Sequence, residues 1–117
     1  MERIVEPKQS NRRRSQRRKA RPTVKVECRK GSHGLGANLA LSVLDISDSG
    51  VRLITTQSLE VMDEVEVIIN GYGLKEMIKR LGTIRWQVKL DTGQFCVGVE
   101  FHKGLVYRDW QNLVSPN

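Results

Sequence analysis

Short runs of alternating apolar and polar residues recur along this chain, and such alternation is the period of a half-buried β-strand. The pattern is clearest at 23–29, where Val24, Val26 and Cys28 alternate with polar neighbours. Five further runs rich in apolar or β-branched residues lie between turn-forming segments, at 39–46, 51–55, 64–70, 77–90 and 94–101. Six closely spaced strands without crossover helices predict an all-β fold, a six-stranded antiparallel β-barrel whose closure removes exposed sheet edges.

The segments between and after these runs complete the predicted fold. Residues 47–50 (SDSG) predict a hairpin turn with glycine where a positive φ would cost least, and Gly82 predicts a bulge or bend inside its strand. The glycine-rich segment 30–37 predicts a loop. Beyond the last strand, apolar residues recur at helical spacing: Val106, Trp110, Leu113 and Val114. They predict a short C-terminal helix within 105–114 that packs on or plugs the barrel.

The charge of the chain is concentrated at its N-terminus. Residues 1–22 hold nine lysines and arginines against two acids, whereas the rest of the chain holds eleven of each, so the formal charge of +7 lies in the first segment. This composition predicts a disordered, self-repelling basic arm (1–22) tethered to a folded domain (23–117). We expect the arm to order over an anionic ligand held against the barrel. The alternative is that it stays a solvated basic tail.

The residues needed for catalysis or for a metal site are not grouped in the sequence. The two histidines, His33 and His102, are isolated, and there is no nucleophile–histidine pair, metal-binding spacing or glycine-rich phosphate loop. Cys28 and Cys96 lie inside apolar runs and are expected to be reduced core residues. No apolar run approaches the roughly 20 residues of a membrane span, and no signal-peptide pattern opens the chain. We therefore expect a cytoplasmic protein that is not an enzyme and that holds no metal or cofactor.

One short constellation has the chemistry to recognise a base. In 45–50 (DISDSG), strand alternation would place Asp45 and Ser47 on one face, with Gly50 at the end of the turn. A carboxylate can accept two hydrogen bonds from a guanine edge, a hydroxyl can add a third, and glycine permits close backbone approach. The same residue types also make an ordinary turn, and the composition alone does not separate the two interpretations.

These residues resemble the PilZ domain, whose members bind the bacterial second messenger cyclic di-GMP. The RxxxR motif before the first strand is matched by 17–21 (RRKAR), and the D/NxSxxG motif at a hairpin is matched by 45–50. Further along, 82–86 (GTIRW) and 98–101 (GVEF) are similar to the fifth and sixth strands of that family. The resemblance extends from about residue 12 to residue 114.

The arginine motif occurs in three registers because the arm is so rich in arginine. The possible pairs are Arg13 with Arg17, Arg14 with Arg18, and Arg17 with Arg21. In the family the second arginine lies just before the first strand, so the resemblance favours Arg17 with Arg21. The residue that precedes the motif in the family bears on whether one or two ligand molecules bind, so the stoichiometry stays open with the register.

The resemblance also implies a role for each matched residue. Arg17 and Arg21 would contact guanine and phosphate, since a guanidinium can form paired hydrogen bonds with either group. Asp45 and Ser47 would hold a guanine edge, and Gly50 would keep the turn tight. Three further residues are possible additional ligand contacts: Arg13, Arg18 and Trp86. The alternative for Trp86 is a place in the barrel core or against the C-terminal helix.

The function that these features predict is a ligand-gated adaptor, which binds cyclic di-GMP and acts on a partner protein that the sequence does not identify. A nucleic-acid-binding module with a basic arm is the main alternative, but the domain is net neutral and aromatic residues make up only 5% of the chain. Arg52 and Arg85 are scattered and are expected to be ordinary solvated residues. A third possibility is a PilZ-like domain that signals only through protein contacts.

Overall fold

The computed structural model describes residues 17–31, 35–71 and 73–115. Within these ranges the chain forms seven strands and one helix: β1 (Arg18–Lys19), β2 (Lys25–Lys30), β3 (Ala40–Ile46), β4 (Gly50–Thr55), β5 (Glu64–Asn70), β6 (Ile78–Lys89), β7 (Phe95–Phe101) and α1 (Tyr107–Leu113). The strands pair antiparallel in one sheet of order β1-β3-β4-β7-β6-β5-β2, which curls into a half-barrel. The all-β class, the antiparallel pairing and the short C-terminal helix are therefore confirmed.

The number of strands differs from the six predicted, because β1 lies inside the segment assigned to the flexible arm. This strand pairs antiparallel with the end of β3, with Arg18 opposite Ile46 and Lys19 opposite Asp45. Two residues are too few to show an alternating pattern, so the sequence gives no local signal for it. Its extended conformation comes instead from pairing with the outer edge of β3. Residues 1–16 of the predicted arm lie outside the described residues.

The two ends of the sheet approach each other without forming a complete ladder. Near the start of β3, the amide of Leu39 donates to the carbonyl of Cys28 in β2 (2.8 Å), and the amide of Cys28 donates to Asn38 Oδ1 (2.9 Å). Further along, β2 and β3 diverge around a surface cavity of about 520 Å³ that also reaches Arg21 and Pro22. The barrel is thus open on this side.

The main hydrophobic core lies on one face of the sheet, which we call the core face. Its centre is a row of directly paired residues on neighbouring strands: Ile46, Val51, Val99 and Ile84. The helix packs into the same core through Trp110 and Leu113, and Trp110 Nε1 donates to the carbonyl of Ile46 (2.9 Å). The predicted packing of the C-terminal helix on the barrel is confirmed. Val106 is 60% exposed, because it lies before the first turn of the helix in an extended conformation.

A β-bulge divides β6 between the two faces of the sheet. The predicted bulge at Gly82 is wrong, since Gly82 is regularly paired and the register shifts at Arg85 instead. Ile84 pairs with Val99, but Trp86 pairs with the adjacent residue Gly98, so the two apolar residues face opposite ways. Trp86 therefore belongs to a second, smaller cluster on the outer face, with Leu44, Ile54, Val88, Leu90 and Cys96. Both cysteines of the chain are buried and neither is in a disulfide, as expected.

Candidate functional site

Five strands bring one residue each into a single row across the outer face of the sheet. Side chains of directly paired residues lie on the same face and next to one another. The successive pairs in β1, β3, β4, β7 and β6 give the row Lys19, Asp45, Arg52, Gly98 and Trp86, which we call the outer row. The outer row lies opposite the core row of Ile46 and Val51, so the sheet separates it from the main core.

Asp45 is the central charge of the outer row. It is 9% exposed, and both carboxylate oxygens accept from Arg52 Nε at 3.0 Å, while Arg52 Nη2 makes a further contact with Oδ2. Arg17 Nε lies 3.8 Å from Oδ1 on the other side. The expectation that Arg52 is an ordinary solvated residue is wrong. Because a carboxylate has about four lone-pair sites, Asp45 keeps the capacity to accept from a ligand beside Arg52.

The three arginines of the basic arm that the structure describes, Arg17, Arg18 and Arg21, point in different directions. Arg17 lies on the outer face near Asp45, whereas Arg18 lies on the core face, with its guanidinium carbon 5.7 Å from the ring centroid of Trp110. Arg17 immediately precedes β1, and the alternation of successive side chains in extended chain explains this difference. Arg21 Nε donates to the carbonyl of Val114 (2.7 Å), and its Nη2 donates to the carbonyl of Gln111 (3.3 Å). The structure therefore brings Arg17 to Asp45 and holds Arg21 at the end of the helix. Arg13 and Arg14 lie outside the described residues.

The hydroxyl of Ser47 is fully buried and is used inside the hairpin turn. It accepts from the amide of Ser49 (3.2 Å) and donates to the carbonyl of Gly50 (3.4 Å), and the amide of Ser47 donates to the same carbonyl (2.9 Å). Gly50 does not have the positive φ that the turn composition suggested. It is needed because a Cβ there would lie 2.3 Å from the carbonyl oxygen of Val99 in β7. The hydroxyl nearer to the surface belongs to Ser49.

A shallow depression adjoins the outer row on its β6 side. It is lined by Arg17, Ser49, Val51, Arg85, Trp86, Gly98, Val99 and Glu100. Gly98 forms the floor, because a Cβ there would lie 2.3 Å from Trp86 Nε1, so the indole lies directly over the backbone. Trp86 is only 3% exposed and packs in the outer cluster. The alternative of a buried core position is confirmed in part: Trp86 is buried in the smaller outer cluster, whereas the main core, which includes Trp110 and Leu113 of the helix, does not contain it. Arg85, expected to be merely solvated, lines the depression.

The remaining polar candidates do not form a second site among the described residues. His102 is exposed, and its Nε2 lies 2.9 Å from Thr83 Oγ1, while His33 lies outside the described residues. In the described ranges no group of three or more His, Cys, Asp and Glu side chains is placed to hold a metal ion. Nor does any helix in those ranges combine the length and apolar character needed to cross a membrane.

Comparison with known protein families settles the classification. The family model of the PilZ domain matches residues 11–113. The chain belongs to the PilZ domain family. The match includes the arginine stretch, the outer row and the whole of α1, so the site described above lies entirely within the PilZ domain.

A solved structure shares the fold of this PilZ domain. It is the Bacillus subtilis inhibitor of motility (MotI/DgrA), which is similar with a TM-score of 0.61 and 14% sequence identity, over 92% of this chain and 50% of that chain. The chain thus spans about half the length of that protein. At this identity the likeness concerns the fold alone. A comparison with curated proteins found no match.

Proposed function

We propose that this PilZ domain binds cyclic di-GMP on the outer face of its sheet, and that binding changes how the domain engages a partner protein. The observation that carries the proposal is the meeting of Arg17, which immediately precedes β1, with Asp45 in β3: Arg17 Nε lies 3.8 Å from the carboxylate. A site for such a ligand must combine acceptors for the guanine N–H groups with donors for the phosphate. Asp45 supplies acceptors for guanine N1–H and N2–H, and Arg17 supplies a forked donor for a phosphate or for guanine O6 and N7.

The hairpin turn completes the proposed base site. Gly50 lets the turn lie against β7 without a side chain, and Ser47 fixes the turn from inside. A small shift that frees the Ser47 hydroxyl from the Gly50 carbonyl would let it join Asp45 on the same guanine edge. Arg52 acts through Asp45, because its bonds to both carboxylate oxygens orient that side chain. Trp86 forms a wall of the site beside Gly98.

Arg17 is the arginine on which the proposal depends, because it belongs to two of the three possible RxxxR registers. In the register with Arg21, the partner must leave the helix carbonyls that it now contacts before it can reach a ligand. That exchange would couple ligand binding to the position of α1. In the register with Arg13, Arg21 keeps its bonds to the helix carbonyls and holds the arm on α1. Arg18 is directed toward Trp110, and a ligand contact by Arg18 would require it to leave that ring.

The test is a calorimetric titration of the protein with cyclic di-GMP, with GTP and cyclic di-AMP as competitors and at two salt concentrations. Asp45→Ala and the closer isostere Asp45→Asn should each lose roughly tenfold or more in affinity, since hydrogen bonds to charged groups contribute about 1.5–3 kcal/mol. Glu76→Ala, which removes an exposed carboxylate from the β5–β6 connection, is the matched control and should bind normally. Circular dichroism checks that each variant is folded.

Two results would overturn the proposal. Wild-type affinity in both Asp45 variants would remove Asp45 from the site. Binding that falls steeply with salt and does not distinguish cyclic di-GMP from GTP would indicate a diffuse polyanion site, which is the behaviour of a nucleic-acid-binding module. Arg17→Ala should also cost more affinity than Arg12→Ala, because only specific contact depends on position within the arm.

A further inference from the structure

The β-bulge in β6 places one arginine where regular pairing would not. Arg85 is the extra residue between Ile84, which pairs with Val99, and Trp86, which pairs with Gly98. Bulges of this kind often redirect a side chain next to a functional site. Here the redirected guanidinium lies at the edge of the depression, which Arg17 borders as well. Two arginines from distant parts of the chain therefore flank one small concave surface.

Arg85 is held by neighbours that a ligand could replace. Its Nε donates to Glu100 Oε1 (2.6 Å), and its Nη1 lies 3.5 Å from Met62 Sδ. The Arg85 and Glu100 side chains are 47% and 49% exposed, so the pair is weakened by water and salt and contributes little to folding stability. Met62 has φ = 80°, a strained value for a residue other than glycine, and its side chain is exposed beside Arg85. Neither contact gives the bulged arginine a strong structural role.

We propose that Arg85 is a further ligand-binding residue of this site, which takes a phosphate of the bound dinucleotide and is held by Glu100 until the ligand arrives. The proposal rests on the proposed function and names a contact within the same site. Asp45 at the outer row favours the uncharged guanine edge and repels a phosphate, so the anionic part of the ligand lies toward the arginines. A forked guanidinium suits a phosphate geometrically, and Glu100 is the group that the phosphate displaces.

This arrangement gives Glu100 a defined effect on affinity. In the unliganded protein Glu100 occupies the guanidinium that the phosphate would take. Removing the charge should therefore strengthen binding. If Glu100 acts by occupying Arg85, the gain disappears when Arg85 is absent. If Glu100 acts only as a negative charge near the ligand, the gain persists without Arg85. A double-mutant cycle separates these two cases.

The experiment is a set of titrations with cyclic di-GMP on the full chain, using wild type, Arg85→Ala, Arg85→Lys, Glu100→Gln and the double variant Arg85→Ala/Glu100→Gln. Lys79→Ala, an exposed lysine on the same strand, controls for the general loss of one positive charge. We expect Arg85→Ala to lose roughly tenfold in affinity, and Arg85→Lys to recover only part of it, because lysine keeps the charge without the fork. Glu100→Gln should bind several-fold more tightly than wild type, and Lys79→Ala should match wild type.

Each outcome of these titrations supports or overturns the proposed role of Arg85. If wild type binds and Arg85→Ala binds equally well, Arg85 is not a ligand-binding residue, while the proposed function stands. If Glu100→Gln strengthens binding equally with and without Arg85, Glu100 does not compete with the ligand for Arg85. If Lys79→Ala weakens binding as much as Arg85→Ala, the effect is general charge and the specific contact is overturned. If wild type does not bind cyclic di-GMP at all, the proposed function fails and this inference fails with it.

Discussion

Gly98 forms the floor of the depression, and a single added methyl group there tests how closely the site is packed. The ideal Cβ of an alanine at position 98 would lie 2.3, 2.4 and 2.8 Å from the Nε1, Cε2 and Cζ2 atoms of Trp86. Real Cβ atoms do not make such contacts, so the indole must move. Trp86 is buried in the outer cluster and has little room to do so. Gly98→Ala should therefore destabilise the domain and distort the depression.

The expected size of the effect follows from what the methyl group displaces. Overpacking of a buried site typically costs about 1–3 kcal/mol, and the rigid indole places this case toward the upper end. In a Trp86→Ala background the three clashing atoms are gone. The φ of Gly98 is not in the positive region, so alanine is then free to lower the entropy of the unfolded chain and to stabilise by about 0.4–1 kcal/mol. The same substitution should thus change sign between the two backgrounds.

Urea denaturation followed by far-ultraviolet circular dichroism measures this cycle without relying on the fluorescence of the tryptophan being replaced. Gly36→Ala is the control, because a Cβ there would make only ordinary contacts with the backbone of Lys30, at 3.4 and 3.6 Å. If Gly98→Ala costs no more than Gly36→Ala, the indole is free to move and does not wall the site. If Gly98→Ala costs as much stability without the Trp86 side chain as with it, a group other than the indole restricts the space at position 98.

Two further predictions concern the arm and the core. Arg21→Ala should increase hydrogen exchange in α1 and cost about 1.5 kcal/mol of stability, because it removes charged donors from the helix carbonyls. Arg108→Ala, which removes an exposed arginine, should have neither effect. Equal protection of α1 from hydrogen exchange in the two variants would show that Arg21 does not attach the arm to the helix. Burial raises the pKa of the Cys28 thiol from 9.0 to about 12, so the thiol ionises first in the unfolded chain and stability falls as pH rises between these values. By pH 10 the wild type should lose on the order of 1 kcal/mol relative to Cys28→Ala in urea titrations, and a constant difference would contradict this.

The sequence predicted the strands in which apolar and polar residues alternate clearly, because such a strand does not depend on which strand lies beside it. In 23–29 and 94–101, every second side chain is apolar, and the sheet buries those side chains whichever strand lies alongside. β1 has no such pattern, and it is extended only because the edge of β3 near Asp45 is available to it. The bulge was predicted at the wrong residue for a related reason. Gly82 is a local signal, whereas the register shift at Arg85 arises from pairing with β7.

The sequence predicted the motif residues of the candidate site, but it did not predict the residues that contact them. Asp45 and Arg17 came from recognisable motifs, and the structure places them together. Arg52 was missed although a signal existed, since residues 45 and 52 are equally far from the centre of the hairpin turn and must pair across it. Arg85 carried no comparable signal, because its position depends on a bulge. Ser47 was expected by alternation on one face with Asp45, but the strand ends at Ile46 and the turn buries the Ser47 hydroxyl.

The short segment between Arg17 and Arg21 offers a physical path from the proposed ligand to the C-terminal helix. Arg17 faces Asp45 at one end, while the carbonyl of Lys19 accepts from the amide of Ser115 (2.8 Å) and the amide of Arg21 donates to the carbonyl of Leu113 (2.9 Å) at the other. A ligand that pulls on Arg17 therefore acts on a strand that also fastens the end of α1. Coupling of this kind needs two arrangements of the segment with different ligand affinity. Since α1 plugs the core and borders solvent, its release would present a partner protein with a surface that the unliganded domain keeps covered.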